Sequence, residues 1–205
     1  MATELCLLAK KFGSDKCPEI LHYYTPAYHT LLNDRREKIK LMLEIGIGYS
    51  DIMAGYVGPH YIPGASLRMW KAYFPNAKIT GCDIHRPVIS TYDEERIHTF
   101  YADQSDEKSL DSLITNDLQP FGTHLDLILD DGSHVEEHQI LSFRVLWKYI
   151  AVGGIYIIED VWTNRLDYFA TLPKEFGFTD AKILHIHQHP RDAQGFILFE
   201  KISSA

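Results

Sequence analysis

Apolar residues fall along this chain in short unbroken runs that alternate with stretches of helical spacing. Residues 39–46 form an apolar run that stops at glycine, the pattern of a strand buried on both faces of a parallel sheet. The same pattern predicts strands over 77–84, 97–103, 125–131 and 155–160, which close on Asp83, Asp103, Asp130-Asp131 and Glu159-Asp160. Between them, apolar positions recur at helical spacing in 66–74, 107–118 and 134–150. Pro75-Asn76 stops the first of these helices and Gly153-Gly154 closes the third. A short helix near 166–176 and a hairpin of strands near 181–187 and 196–202 complete the reading, and 49–64 reads as a loop. Strand–helix alternation argues for an α/β fold, a parallel sheet with helices on both faces. Ligands of such sheets bind beyond the carboxyl ends of the strands, the edge on which these acids lie.

Composition narrows the class. The 205 residues are 45% apolar and 23% charged, as in ordinary globular chains, and suit one domain. No apolar run approaches the roughly 20 residues of a membrane helix. The N-terminus reverses the order of a secretory signal, so a soluble cytoplasmic protein is expected. Cys6, Cys17 and Cys82 match neither a disulfide framework nor a zinc site. A net charge of −8 argues against nucleic acid as a partner. The one basic cluster, Arg35 to Lys40, is broken by Glu37 and reads as a solvated helix end. Trp70, Trp147 and the aromatics of 66–74 read as core.

The first strand runs into Gly46-Ile47-Gly48, where glycine lets backbone approach a ligand closely. A dinucleotide fingerprint needs a third glycine opening a helix, but position 51 is Asp51 and the loop follows. Asp83 is placed to accept both ribose hydroxyls of an adenosine. Asp103, with Gln104 beside it, suits an adenine amino group. An adenosyl cofactor without pyrophosphate fits better than NAD.

With these motifs the chain resembles the class I S-adenosylmethionine-dependent methyltransferases, and within them the metal-dependent O-methyltransferases of macrolide and related antibiotic sugars. The matching stretches are Phe-Gly-Ser-Asp-Lys at 12–16, Glu-Ile-Gly-Ile-Gly at 44–48 and Gly-Ala-Ser-Leu-Arg-Met-Trp-Lys at 64–71. Ala-Asp-Gln-Ser-Asp at 102–106, Asp-Asp-Gly-Ser-His at 130–134 and Ile-Glu-Asp at 158–160 also match. The resemblance implies a doubly wound, Rossmann-like sheet of seven strands with the last antiparallel. It implies a donor pocket of Glu44, Gly46, Gly48, Asp83, Asp103, Gln104 and Asp130. Lys16 and the His22-x-Tyr24 segment match an element that closes over the cofactor, so 1–38 is expected to cover a core of 39–205. The chain departs in its longer 49–64 loop, a candidate homo-oligomer contact, and has no room for the separate N-terminal domain of some macrolide-sugar enzymes.

Adjacent residues at a strand end point opposite ways, so Asp130 and Asp131 are expected to serve different ligands. Asp131, Glu159 and Asp160 gather three carboxylates, costly unless a cation or protons offset them. Oxygen ligands suit Mg²⁺. The bland reading of each acid is a helix cap, with Asp130 or Ser133 capping a helix at 134. A metal would lower the pKa of an acceptor hydroxyl, His134 would take its proton, and the oxygen would attack the sulfonium methyl. The expected activity is O-methylation of a sugar or other small hydroxylated acceptor, with Thr163 and Arg165 as candidate acceptor contacts. Two alternatives use the same residues. One is a non-catalytic adenosyl-binding module. The other is an inverted zincin in which His134 and His138 share a helix face around Glu137. His185, His187 and His189 read as an exposed face of the terminal hairpin, with His187 in reach of substrate.

Overall fold

The computed structural model describes residues 2–89 and 94–203. Two helices that the hydrophobic pattern had not resolved come first, α1 (Glu4–Phe12) and α2 (Tyr24–Leu32). Thr3 caps α1 by accepting from the Cys6 amide, and Gly13 ends it in the left-handed region at φ 76°. Then follow β1 (Leu41–Ile45), α3 (Ser50–Val57), α4 (Ala65–Tyr73), β2 (Lys78–Asp83), α5 (Arg86–Ile89) and β3 (Ile97–Tyr101). The second half holds α6 (Glu107–Ser112), β4 (Leu125–Asp130), α7 (Glu136–Leu146), β5 (Ile150–Trp162), α8 (Leu166–Phe169), α9 (Leu172–Glu175), β6 (Ala181–Gln188) and β7 (Gln194–Lys201).

The strands form one sheet in the order β3-β2-β1-β4-β5-β7-β6, with β7 antiparallel to both its neighbours. This is the expected doubly wound sheet. Alternation along each strand feeds two cores. Met42 and Ile157 join α1, α2 and α4 on one face, while Leu43 and Ile158 join α6, α7, α8 and α9 on the other. The order reverses between β1 and β4, and there the two chains leave the sheet side by side. The Gly46 amide bonds the Cys82 carbonyl at 2.8 Å, and the Asp131 amide bonds the Ile45 carbonyl at 2.9 Å.

Several boundaries differ from the sequence reading. The 49–64 segment is not an irregular loop: α3 starts at Ser50, directly after the glycine turn. It was hard to foresee because none of its residues is buried, so no apolar stripe marks it. The helix expected from 134 starts at Glu136, and Val135 precedes it without a side-chain cap, so neither Asp130 nor Ser133 caps it. Gly153-Gly154 does not close that helix but sits inside β5, where pairing with β4 shifts register. The expected helix over 107–118 is α6 followed by a π turn, Leu113–Asp117. The basic cluster is less solvated than expected. Arg35 bonds Glu200 and the Gly153 carbonyl, and Arg36 bonds Glu4 and the Tyr73 carbonyl. Among the described residues no helix is long and apolar enough to cross a membrane.

The crossing at the switch point sets a steric limit. Gly46 has φ 83°, and a Cβ there would lie 2.1 Å from the Asp131 carbonyl oxygen. Gly153 has a similar φ of 82° with nothing within 4 Å. Gly46→Ala should therefore cost about 3 kcal/mol or more in urea unfolding. Gly153→Ala should cost only about 1–2 kcal/mol of backbone strain. Equal losses would show that packing at the switch point is not limiting.

Candidate active site

A cavity of about 410 Å³ opens at the carboxyl ends of β1, β2 and β4. Gly46 and Gly48 form its floor. At Gly48 a Cβ would sit 2.5 Å from the hydroxyl of Tyr61, a cavity-lining residue, so a side chain there would crowd the cavity wall. Asp83 is oriented by two backbone amides, Ile47 to Oδ2 at 3.1 Å and His85 to Oδ1 at 2.8 Å. Each oxygen keeps a lone pair for a hydroxyl. Asp103 Oδ1 accepts from the Ser105 hydroxyl and amide, which hold its carboxyl below the usual range. Gln104 lines the cavity but is spoken for: its amide donates to Asp130 Oδ1 at 2.6 Å and its oxygen accepts from the Ser133 amide at 2.9 Å. It clamps the turn after β4. Burial pushes Asp130 up to about 7, against the pull of Gln104.

Four predicted donor residues lie outside the cavity lining. Asp130 is behind it, and Lys16, Tyr24 and Glu44 form a buried layer beneath. Lys16 Nζ donates to Asp131 Oδ2 and Glu159 Oε2 at 2.5 Å each and lies 3.8 Å from Glu44 Oε1. Burial opposes its charge, yet Asp131, Glu159 and Glu44 together hold its pKa well above the usual value. Burial pushes Glu44 up to about 8 against the pull of Lys16, so Glu44 carries a proton at neutral pH. The acids thus have a cation of their own, supplied by the N-terminal segment.

Simple alternation would put Glu159 and Asp160 on opposite faces of β5. Instead β5 bulges. Ile158 pairs with Ile197 and Val161 with Gly195, so two residues oppose Phe196 alone, and Asp160 takes φ 54°. Both carboxylates now face α2. Tyr28 donates to Glu159 Oε1 and Tyr24 to Asp160 Oδ1, both at 2.6 Å. Burial, reinforced by these acids, raises both phenols, so they keep their protons and donate. Two carbonyls at the bulge bond glutamine side chains, Glu159 to Gln139 at 2.7 Å and Asp160 to Gln194 at 3.1 Å. Tyr28, Gln139 and Gln194 were not found from sequence, since nothing in their local pattern marks them.

Asp131, His134 and Asp160 offer ligand atoms within 4.8 Å of one another and line the cavity. Glu159, the third acid of the expected metal set, is outside this group. It is almost fully buried on Lys16 and Tyr28, one residue deeper on β5. His134 also departs from expectation. It precedes α7 in the left-handed region at φ 56°, with Nε2 3.6 Å from Asp160 Oδ2. His138 lies inside α7 and meets Ser133 Oγ at 2.9 Å, so the two histidines share no helix face and the inverted-zincin reading fails. His185 and His187 do not form an exposed face either. Both rings pack on Phe196 of β7: His185 at 5.8 Å between centroids, while His187 stacks on it and meets the edge of Tyr24, and burial lowers His187 to about 4. His189 stacks on Tyr23 with centroids 3.7 Å apart. Arg165 is committed to Glu136 by two bonds of 2.7 and 2.6 Å.

This sheet order, with a glycine turn and acids around one cavity, defines a class I methyltransferase fold. No family model matches the chain. The chain is a relative of the O-methyltransferases of antibiotic sugars. It is 42% identical over 153 residues to the mycinamicin VI 2''-O-methyltransferase of Micromonospora griseorubida, covering 75% of this chain and 33% of that one. It is 40% identical over 156 residues to the demethylmacrocin O-methyltransferase of Streptomyces fradiae, covering 76% and 34%. The solved MycE methyltransferase of the mycinamycin pathway, in complex with Mg, SAH and mycinamycin VI, superposes with a TM-score of 0.74 at 29% identity, over 98% of this chain and 54% of that one. The chain therefore spans about a third of the length of these relatives and about half of the solved structure.

Glu44 gives a stability test. Its ordinary value is near 4.5 and its folded value about 8, so the stability it contributes is complete below pH 4.5 and is lost as pH rises through 8. Glu44→Gln keeps an acceptor for Ser66 and removes the titration. The fall in thermal midpoint between pH 5 and pH 8.5 should be smaller in this variant than in the parent. Identical falls would mean Glu44 is ionised throughout.

Proposed function

We propose that this chain carries the catalytic site of an S-adenosylmethionine-dependent, Mg²⁺-dependent O-methyltransferase acting on a sugar hydroxyl. One observation carries the reading: the Asp131–His134–Asp160 group opens onto the same cavity as Gly46, Gly48 and Asp83. A donor and an acceptor can meet there. The names of the relatives, which methylate macrolide and tetracenomycin sugars, support the acceptor class.

Asp83 would take the ribose hydroxyls, Asp103 the adenine end, and the Gly46–Gly48 turn the methionyl backbone. Ser14 and Asp15 reach the cavity wall, which supports a covering role for 1–38. Asp131 and Asp160 would hold Mg²⁺ through oxygen, with Glu159 the inner carboxylate that shares Lys16 with Asp131. When bound, the donor supplies an electrophilic methyl and the cation lowers the pKa of an acceptor hydroxyl. His134 is 39% exposed at its side chain, in reach of an incoming hydroxyl, and receives its proton. Lys16, Tyr24 and Tyr28 hold the acids in place, so most of the rate gain comes from fixed geometry. Exposed Ile52, Tyr56 and Ile62 on and beside α3 support a subunit contact there. Three buried free thiols suit a cytoplasmic setting.

The test is calorimetric titration with S-adenosylhomocysteine, with and without Mg²⁺, and with NAD⁺ as control. Micromolar binding of S-adenosylhomocysteine but not NAD⁺ is expected. Asp160→Asn should weaken Mg²⁺ binding about tenfold or more while sparing S-adenosylhomocysteine. Binding of NAD⁺ alone would overturn the reading. Tight S-adenosylhomocysteine binding without methyl transfer from S-adenosylmethionine to any glycoside would favour a non-catalytic adenosyl module.

A further inference from the structure

We propose that Trp162 is the platform on which the pyranose ring of the acceptor stacks, an inference that rests on the sugar-hydroxyl reading above. Trp70 stacks on Phe74 and Trp147 donates to Asp180, and both are buried. Trp162 is 56% exposed, and among the described residues its indole has no hydrogen bond, ring contact or cation partner.

Its place follows from the bulge. Asp160 faces α2 and Tyr24, Val161 is buried in the opposite core, and alternation returns Trp162 to the face of Asp160. Two residues of extended chain set it about 6–7 Å beyond Asp160. Trp162 itself does not line the cavity, so a sugar ring stacked on it would lie outside, with a ring hydroxyl turned toward the Asp131–His134–Asp160 group on the cavity wall.

The backbone that carries the platform is fixed. Trp162 pairs with Gln194, whose side chain also holds the Asp160 carbonyl, and the Thr163 amide donates to the Ala193 carbonyl at 3.1 Å. The Arg165–Glu136 pair ties the turn after Trp162 to the first turn of α7, two residues beyond His134. Val135, 41% exposed, stands beside His134. The chemistry matches a pyranose. One face of such a ring is a patch of polarised C–H groups that packs on the electron-rich indole face, leaving the equatorial hydroxyls free to react. A deoxysugar, with one hydroxyl fewer, is more apolar still.

Acrylamide quenching of tryptophan fluorescence tests this directly, because Trp70 and Trp147 are buried and Trp162 alone is open to the quencher. Methyl α-L-rhamnopyranoside, added with S-adenosylhomocysteine and Mg²⁺, should shield the accessible tryptophan, and catechol should shield it less. In methyl transfer to the same glycoside, Trp162→Ala should raise KM about tenfold. Its kcat and S-adenosylhomocysteine affinity should stay at the parent values, and Trp162→Phe should recover most of the loss. An unshielded indole, an unchanged KM, or stronger shielding by catechol would overturn the platform while leaving the methyltransferase reading intact. Failure of the parent protein to bind S-adenosylhomocysteine would sink that reading, and this proposal with it.

Discussion

The site depends on one buried ammonium. Lys16 stands among Glu44, Asp131 and Glu159, which come from β1, the end of β4 and β5. Acidic side chains brought this close repel one another where they are ionised, and burial costs Glu44 and Glu159 their hydration. Lys16 offsets both costs and, in doing so, fastens the segment before α2 to three strands of the sheet. Tyr24 and Tyr28 extend the same attachment one helix further. The N-terminal residues are therefore part of the electrostatic foundation of the acid cluster.

The second constraint is the bulge at Glu159-Asp160. Regular strand geometry would have sent one of these acids into the apolar core of α6 and α7. The extra residue turns both toward the tyrosines and brings Asp160 within reach of Asp131 and His134. Its backbone strain is held by Gln139 and Gln194, which bond the Glu159 and Asp160 carbonyls, and by the sheet around them.

Most of the sheet was legible because each parallel strand is a run of apolar residues closing on an acid or a glycine, a local signal. The placement of Gly46, Asp83 and Asp131 on one edge follows from topology and so was legible too. What escaped notice depends on contacts across long separations. Lys16 reads as a residue near a cofactor, and only the fold reveals that its partners are carboxylates 28 to 143 residues away. The split between Glu159 and Asp160 escaped because a bulge leaves no mark in hydropathy. The histidines of 185–189 read as solvent-facing because strand alternation does not say which face another segment covers; here Phe196 packs on His185 and His187, Tyr24 meets His187 and Tyr23 stacks on His189. In α1, by contrast, a cap at Thr3 and a stop at Gly13 were present in the sequence and could have been read.

The helix α3 has no buried residue, although Ile52 and Met53 line the cavity. A ligand that fills the cavity would give this helix, through Ile52 and Met53, the apolar neighbours it lacks, so the same side chains that form the cavity wall would gain their own packing from the occupant.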